Sequence, residues 1–375
     1  MRKHIIYRYF LFLSLVGLMQ LTLSCSSSSN EIEPLKPEGE DTPLEKDEYT
    51  FMNVEYRKWQ NGTFQAWTTA DSRETRTIDN MNWYTPSSDY SRTAWGGRIG
   101  LQPSSVVGKE GFFRVAYCGG RSYLLDPDNG AVIIHGIQHV RPGESTAHKK
   151  AFGTRYGSEA RWSEETGKLL ADNHINYISY GSNRIEVFPA AVRGNLLTPK
   201  TQKIAYAENL YLLRTFMWDM SKNLGYAFDD DKYNRLVLLF EPTFATYIDR
   251  LVQEKSALFA GDRHFIGFYL DNELPFASYQ GTGYANTEGG GWLVHTQKNR
   301  GEFYQNFCLR LLETRNCVGW VHFEYNDGYD SNGKASNKGV VSIEYEPYES
   351  FLSQMRQLNL SVHSLIDYYD IKSVQ

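Results

Sequence analysis

The chain has 375 residues, with 39 Lys and Arg against 44 Asp and Glu, so its formal net charge is −5. This length admits one large α/β domain plus a smaller β domain, and the acidic balance without a basic stripe argues against a nucleic-acid partner. The four cysteines are too few and too scattered for a disulfide framework or a zinc site. We therefore expect neither a metal nor another cofactor.

The N-terminus has the pattern of an export signal. Basic residues precede an apolar run from Tyr9 to Leu23, which is too short for a comfortable membrane span, and Cys25 follows closely. A small residue before a cysteine is typical of a lipoprotein signal (residues 1–25), in which the thiol becomes lipid-anchored. The alternative is an ordinary secretory signal. Residues 26–47, rich in Ser, Pro and Glu, predict a flexible tether. We therefore expect the rest of the chain to be held at the cell envelope, on the outer membrane or the periplasmic face.

Residues 48–130 consist of short β-like runs separated by turn residues. Two of these runs are Phe112–Tyr117 and Ser122–Leu125, and the segment Asp126–Gly130 has strong turn chemistry. The pattern predicts a small β-rich N-terminal module.

From residue 131 to 375, strands alternate with helices. The continuous apolar run Ala131–Ile137 indicates a strand covered on both faces. The alternation predicts parallel βαβ units, although Ile204–Trp218 fits a helix as well as a strand. Further strands are predicted at 175–180, 265–270 and 317–323, and helices at 158–172, 244–259, 299–315 and 348–358. Ser158 is a candidate N-cap of the first of these helices.

Polar residues follow several of these strands, where parallel α/β folds place their active sites. Asn272 and Glu273 end one strand, and Glu324 and Asp327 end another. Apolar neighbours would suit Glu273 to acid/base chemistry, but it would serve equally as a helix cap or as the partner of an arginine.

Two earlier strand ends also carry polar groups. Gln138 and His139 end the first strand, and Asn183 follows the second, so we expect all three to be substrate contacts. His135 and His139 stand four positions apart and are expected to share a face of the strand. With no third ligand in view, substrate contact is favoured over metal binding.

From about residue 110 onward, the chain resembles the β-agarase-like enzymes of glycoside hydrolase family 50, a clan A family, in lipoprotein form. The strand end Phe265–Glu273 and the Gly319-Trp320 pair carry the most specific part of this resemblance. The other matching stretches are Gly111–Val115, Leu125–Asp128, Ile134–Val140, Leu274–Phe276, Gly289–Val294, Arg300-Gly301, Phe303–Phe307, Asn337–Gly339 and Tyr345–Tyr348.

The resemblance implies a (β/α)8 TIM-type barrel in which Asn272 and Glu273 end the fourth strand and Glu273 is the acid/base. It also implies a shortened barrel. The interval between Glu273 and Gly319 is far below the ~90 residues that strands five to seven would need. The family's nucleophilic Glu ends strand seven, and no residue matches it; Glu288, Glu324 or Asp327 would have to substitute.

The eighth strand implies further substrate contacts. Trp320 remains as a stacking residue, while Val321-His322 stands where the family has a His-Trp pair. His322, Glu324 and Asp327 are expected to contact the sugar. The 14% aromatic content agrees with this, because sugar rings stack on aromatic faces.

We therefore expect an incomplete barrel that acts on or binds polysaccharide. The alternatives are an inactive carbohydrate-binding remnant and a structural surface lipoprotein. An open barrel would expose strand edges, which favours low stability of the isolated chain or self-association.

Overall fold

The computed structural model divides the chain into Met1–Lys46 and Asp47–Gln375, and every described residue belongs to the second unit. The described residues are 48–60, 63–87, 89–182, 204–224, 240–271, 292–329 and 335–372.

The first part of the chain forms antiparallel sheets. One sheet has the order β13-β1-β4, a second has the order β5-β6-β7-β8, and β2 pairs with β3. The strands are β1 Met52–Arg57, β2 Trp59–Gln60, β3 Thr63–Phe64, β4 Asp71–Thr75, β5 Ser105–Val107, β6 Arg114–Cys118, β7 Arg121–Leu125 and β8 Ala131–Val132, with β13 Leu293–Val294 joining from later in the chain. The two predicted runs around 112–125 are confirmed as β6 and β7.

The predicted turn after β7 is confirmed, and its geometry explains it. The Asp126 carboxylate accepts hydrogen bonds from the backbone N–H groups of Asp128 at 2.9 Å and Gly130 at 3.0 Å. An aspartate that bonds its own following backbone is a strong turn former, so this segment reverses the chain into β8.

Five strands form one parallel sheet in the order β12-β11-β10-β9-β14. They are β9 Ile134–Ile137, β10 Tyr177–Ile178, β11 Ala205–Asn209, β12 Phe265–Tyr269 and β14 Gly319–His322. The first four follow one another along the chain, and the last strand returns to pair with the first. Among the described residues, β12 and β14 are the two edges of this sheet.

Six α-helices accompany the sheets in the described ranges. They are α1 Thr146–Arg155, α2 Glu159–Asp172, α3 Leu212–Leu224, α4 Phe244–Leu258, α5 Gln297–Glu313 and α6 Glu349–Lys372. The ambiguous segment after 204 divides into β11 and the start of α3. As predicted, Ser158 caps α2, accepting a bond from the Arg161 backbone N–H.

The prediction that the last helix ends near residue 358 is wrong. The helix continues to Lys372 because apolar residues keep recurring at helical spacing, and Val362, Leu365 and Ile366 are buried. Helix α1 was not predicted; Ser145 caps its N-terminus.

The two faces of the parallel sheet pack against different groups. On the helix side, Ile137 and Ile175 contact a buried cluster that includes Trp162 and Met355. On the opposite face, the inner face, Tyr177 belongs to a cluster completed by Trp95, Val132, Ile134, Ala205 and Ala207.

Buried ion pairs tie the N-terminal β strands to the last two helices. Arg121, with no exposed surface, donates to Asp370 at 2.7 Å and 3.2 Å, and Arg76 donates to Glu313 at 2.6 Å. The hydroxyls of Tyr49 and Tyr369 lie 2.5 Å apart. These contacts place the β-rich residues and the parallel sheet in one unit.

None of the helices within the described ranges combines the length and apolar character needed to cross a bilayer.

Candidate functional site

The carboxyl ends of β9 and β14 meet side by side and bring together the polar residues that the sequence places there. The backbone N–H of Gln138 donates to the His322 carbonyl at 3.0 Å, and the Gln138 carbonyl accepts from Tyr325 at 3.0 Å. The two chains thus stay hydrogen-bonded beyond the last strand residues, and their polar side chains emerge next to each other.

His139 and Glu324 form the centre of this site. Nδ1 of His139 lies 3.0 Å from Oε2 of Glu324, and the two side chains are 24% and 17% exposed. His139 has φ +55°, a left-handed conformation that ends the strand and in which His, Asn and Asp are enriched. The structure therefore joins two predicted contact residues into one pair.

Two neighbours hold the imidazole of His139. The ring of Phe323 meets it edge-on with centroids 5.1 Å apart. On another side stands Gly181, where an added Cβ would lie 2.4 Å from Cδ2 of His139. Gly181 has φ +75°, so glycine is required there both for conformation and for space.

Phe323 also lies at this site, and the sequence analysis did not predict it. It is 44% exposed and comes directly before Glu324. Strand alternation puts it on the same face as Val321, which lies over Gly136 on the inner face. The available signal was an aromatic residue two positions after Val321, at the end of a predicted strand.

A tyrosine group continues the site along the neighbouring strands and was also missed. The Tyr269 hydroxyl accepts from Tyr177 at 3.2 Å and from Ser179 at 3.3 Å, and its ring meets Tyr180 edge-on at 4.7 Å. Burial raises the pKa of Tyr177 well above its ordinary value, so this phenol stays protonated. The sequence signal for this group was the spacing of Tyr177 and Ser179, which stand two positions apart and so share one face of the strand.

The ends of β11 and β12 are fixed by local bonds. Asn209 accepts from the Tyr211 backbone N–H at 2.8 Å, and Asp271 accepts from the Leu213 backbone N–H at 2.8 Å. The second bond gives α3 an N-terminal partner from β12. Asn272 and Glu273 follow directly in sequence but lie outside the described residues, as do Asn183 and Cys25.

Trp320 and His322 lie on the helix side of β14, away from the site. Trp320 is 6% exposed and donates its indole N–H to the Tyr304 hydroxyl at 2.6 Å. His322 bonds the Lys338 carbonyl at 2.9 Å and packs on Phe351 at 5.1 Å. Burial, with a smaller effect of Arg300, lowers the pKa of His322 to about 4. Side chains alternate along β14, so Val321 and Phe323 face the inner face. Trp320 and His322 therefore face the helices and pack against them.

Asp327 holds a loop and is 6% exposed. Its carboxylate accepts from Gly339 N–H at 2.8 Å, from the Asn337 amide at 2.9 Å and from the Tyr348 hydroxyl at 2.5 Å. Three donors on one buried carboxylate leave little capacity for a ligand.

The side chains of His135 and His139 do not lie on the same face of the strand. His135 is 5% exposed, its ring lies 5.1 Å from that of Trp320, and burial lowers its pKa to about 3. The expectation of a shared face is wrong because His139 leaves the strand in a left-handed conformation. The described part of the chain contains no cluster of three or more His, Cys, Asp or Glu side chains placed to hold a metal ion.

No family model and no curated protein matches this chain. Solved structures do match. The crystal structure of BpGH50 aligns with a TM-score of 0.68 at 18% identity, covering 88% of this chain and 98% of that one. The crystal structure of an agarase, AgWH50C, aligns at 0.44 with 12% identity over 75% and 67%, and that of an exo-β-agarase at 0.45 with 10% identity over 74% and 68%. The chain therefore shares its fold with BpGH50 and resembles the β-agarase-like proteins of glycoside hydrolase family 50.

Proposed function

We propose that this chain is a glycoside hydrolase-like protein, related to β-agarases, that acts on or binds polysaccharide at the cell envelope. One observation carries the proposal: the parallel sheet ends in a polar mouth centred on His139 and Glu324, within a fold shared with BpGH50. Ligand sites of parallel α/β folds lie at the carboxyl ends of the strands.

The sheet is proposed to be an incomplete (β/α)8 barrel. The strands β9, β10, β11 and β12 take positions one to four, and β14 takes position eight, because it pairs in parallel with β9 as the closing strand of a barrel does. The alignment covers 98% of BpGH50, which supports the shortened arrangement as a genuine fold rather than a sequence artefact.

Glu273 is proposed as the acid that protonates the leaving oxygen, on the resemblance of the segment 265–273 to the family. It follows β12, whose end is held in place through Asp271. Enzymatic glycoside hydrolysis needs a second carboxyl group on the other side of the bond.

A binding function without turnover is the second candidate. The observation that favours it is the strand order, in which β14 follows β12 along the chain with the short β13 as the only described strand between them. The strand that carries the family's nucleophile has no counterpart in the described part of the sheet.

The discriminating experiment is the release of reducing sugar from agarose, porphyran and other galactans. We expect release by the wild-type chain and its loss in Glu273→Gln, with Glu344→Gln, an exposed carboxylate in another turn, as the matched control. Retardation in a galactan gel without release would support the binding function. If the chain shows neither release of sugar nor retardation in the gel, the hydrolase function and the binding function are both contradicted.

Lipid anchoring on Cys25 and self-association complete the proposal. The N-terminal sequence pattern supports the anchor, and the two edge strands of the described parallel sheet, β12 and β14, support association. Incorporation of labelled palmitate into the wild type but not into Cys25→Ser tests the first, and sedimentation at several concentrations tests the second.

A further inference from the structure

Lys338 places a cation beside the mouth on a backbone that is held by several hydrogen bonds. Its carbonyl accepts from the Glu324 backbone N–H at 3.3 Å and from Nε2 of His322 at 2.9 Å. The Arg300 guanidinium donates to the same carbonyl at 3.0 Å and to that of Gly339 at 2.8 Å. These bonds fix the point at which the Lys338 side chain leaves its loop.

The ammonium group of Lys338 takes no part in this anchoring. Its Nζ lies 5.7 Å from the centroid of the Phe323 ring, and it has no ion pair within the described residues. The residue is half-buried, so the ammonium has lost part of its hydration without gaining a carboxylate partner. A cation in this state gains more from an anionic ligand than from a neutral one, because hydrogen bonds between charged groups are the stronger ones.

Phe323 connects this cation to the polar pair of the mouth. The ring of His139 lies 5.1 Å from that of Phe323, and Nδ1 of His139 lies 3.0 Å from Oε2 of Glu324. One aromatic ring, 44% exposed, therefore contacts both the His139–Glu324 pair and Lys338. Lys338 does not form an ion pair with Glu324, so the positive and the negative group are separate contacts for a ligand.

We propose that this mouth binds an acidic saccharide and that Lys338 selects it by pairing with an anionic substituent, a sulfate ester or a carboxylate. The inference names the substrate class of the proposed polysaccharide site and rests on that proposed function. The sugar ring lies against Phe323, with its hydroxyl groups at His139 and Glu324. Its anionic group lies at Lys338. The reversed orientation is disfavoured because it would bring two negative charges together at Glu324.

The chemistry of lysine suits both kinds of anion. An ammonium group is a compact charge with three rotatable donors, so it can bond a tetrahedral sulfate or a planar carboxylate. A neutral saccharide would offer Lys338 only hydroxyl groups, which make weaker hydrogen bonds with a cation than an anion does. The position of Lys338 therefore predicts a preference for charge and leaves the identity of the anion to the experiment.

The first test is titration calorimetry of the full chain with three matched oligosaccharides. They are a neutral agarose oligosaccharide, a sulfated porphyran oligosaccharide, and the agarose oligosaccharide oxidised to carboxylates at its primary alcohols. We expect at least one acidic saccharide to bind about tenfold more tightly than the neutral one, and the tighter of the two identifies the anion. Equal or weaker binding of both acidic saccharides overturns the role of Lys338 while the carbohydrate function stands. Binding of none of the three contradicts both.

Variants at Lys338 assign the preference to this side chain. Lys338→Gln should remove the preference and change the affinity for the neutral saccharide by less than about twofold, whereas Lys338→Arg, which keeps the charge, should retain it. Lys255→Gln, in which an exposed lysine of the last turn of α4 is replaced, is the matched control and should behave as the wild type. A preference that persists in Lys338→Gln overturns the proposal.

Salt dependence gives a second readout. The preference of the wild type for the acidic saccharide should shrink when NaCl is raised from about 0.05 M to about 0.5 M, because salt screens partly exposed charge pairs. The affinity of Lys338→Gln for the same saccharide should change less over this range. Equal salt dependence in the two proteins would show that Lys338 does not pair with the anion, and would overturn the proposal.

Discussion

Nδ1 of His139 lies 3.0 Å from Oε2 of Glu324 although the two residues are 185 positions apart. The pairing follows from β14 lying beside β9, which brings the end of the chain's last parallel strand to the end of its first. The polar mouth therefore depends on this long-range strand pairing, and changes to the sheet or its anchors are expected to reach the site.

Phe323 is expected to contribute to sugar binding. Replacing it with Ala removes an aromatic face that is 44% exposed beside Glu324, and should weaken galactan-oligosaccharide binding by up to about tenfold. Titration calorimetry measures this. Phe307→Ala is the matched control, since Phe307 is 62% exposed on α5, away from the strand ends. Equal affinities for the wild type and Phe323→Ala would remove Phe323 from the site.

Gly136 is expected to be intolerant of any side chain. An added Cβ would lie 2.5 Å from Cδ1 of Tyr177, so Gly136→Ala must displace a buried ring of the inner face and should lower the free energy of unfolding by about 1–3 kcal/mol. Gly267→Ala in β12 is the control, because its Cβ would meet no atom within 4 Å, and it should be neutral or slightly stabilising. Urea unfolding compares the two; equal effects would contradict the close approach at Gly136.

Asp370 is expected to be essential for the attachment of α6. Asp370→Ala leaves the Arg121 guanidinium buried without its carboxylate, which should lower the free energy of unfolding by roughly 3–5 kcal/mol. Glu349→Ala removes the partner of the more exposed Arg356 and should cost about 1 kcal/mol or less. Urea unfolding distinguishes the two pairs, and a loss below about 1 kcal/mol for Asp370→Ala would contradict the buried-pair account.

Stability is expected to fall as the pH drops below about 6.5. His363 is 1% exposed, and burial lowers its pKa to about 4. Between about pH 6.5 and 4 the unfolded chain binds a proton there that the folded chain does not, so the free energy of unfolding decreases with decreasing pH, by up to about 1.4 kcal/mol per pH unit.

Urea unfolding of His363→Gln across this pH window checks the assignment. The variant should show a shallower pH dependence than the wild type. His135 and His322 add to the wild-type slope in the same direction, because burial also lowers their pKa values. Parallel slopes for His363→Gln and the wild type would contradict the prediction.

Local patterns were sufficient to predict much of the fold. The apolar run before Ile137, the Asp126 turn and the Ser158 cap each depend on near neighbours in sequence, and each is present in the structure. The short interval between β12 and β14 predicts a shortened barrel, and this stays a prediction because residues 272–291 lie outside the described ranges.

What could not be predicted depends on contacts distant in sequence or on the phase of a strand. The family resemblance implied that Trp320 contacts sugar, but the alternation of β14 turns it toward Tyr304. The pairing of His139 with Glu324 required knowledge of the strand order and of one left-handed residue. Glu273, the residue on which the family resemblance depends most, lies outside the described ranges.

The most direct measurement of the central claim is a crystal structure of Glu273→Gln with a bound galactan oligosaccharide. We predict that the sugar lies at the carboxyl ends of the parallel strands, with a ring on Phe323 and hydroxyl groups within hydrogen-bond distance of His139 and Glu324. An oligosaccharide bound elsewhere on the chain, or a mouth that stays empty at saturating concentration, would contradict the account.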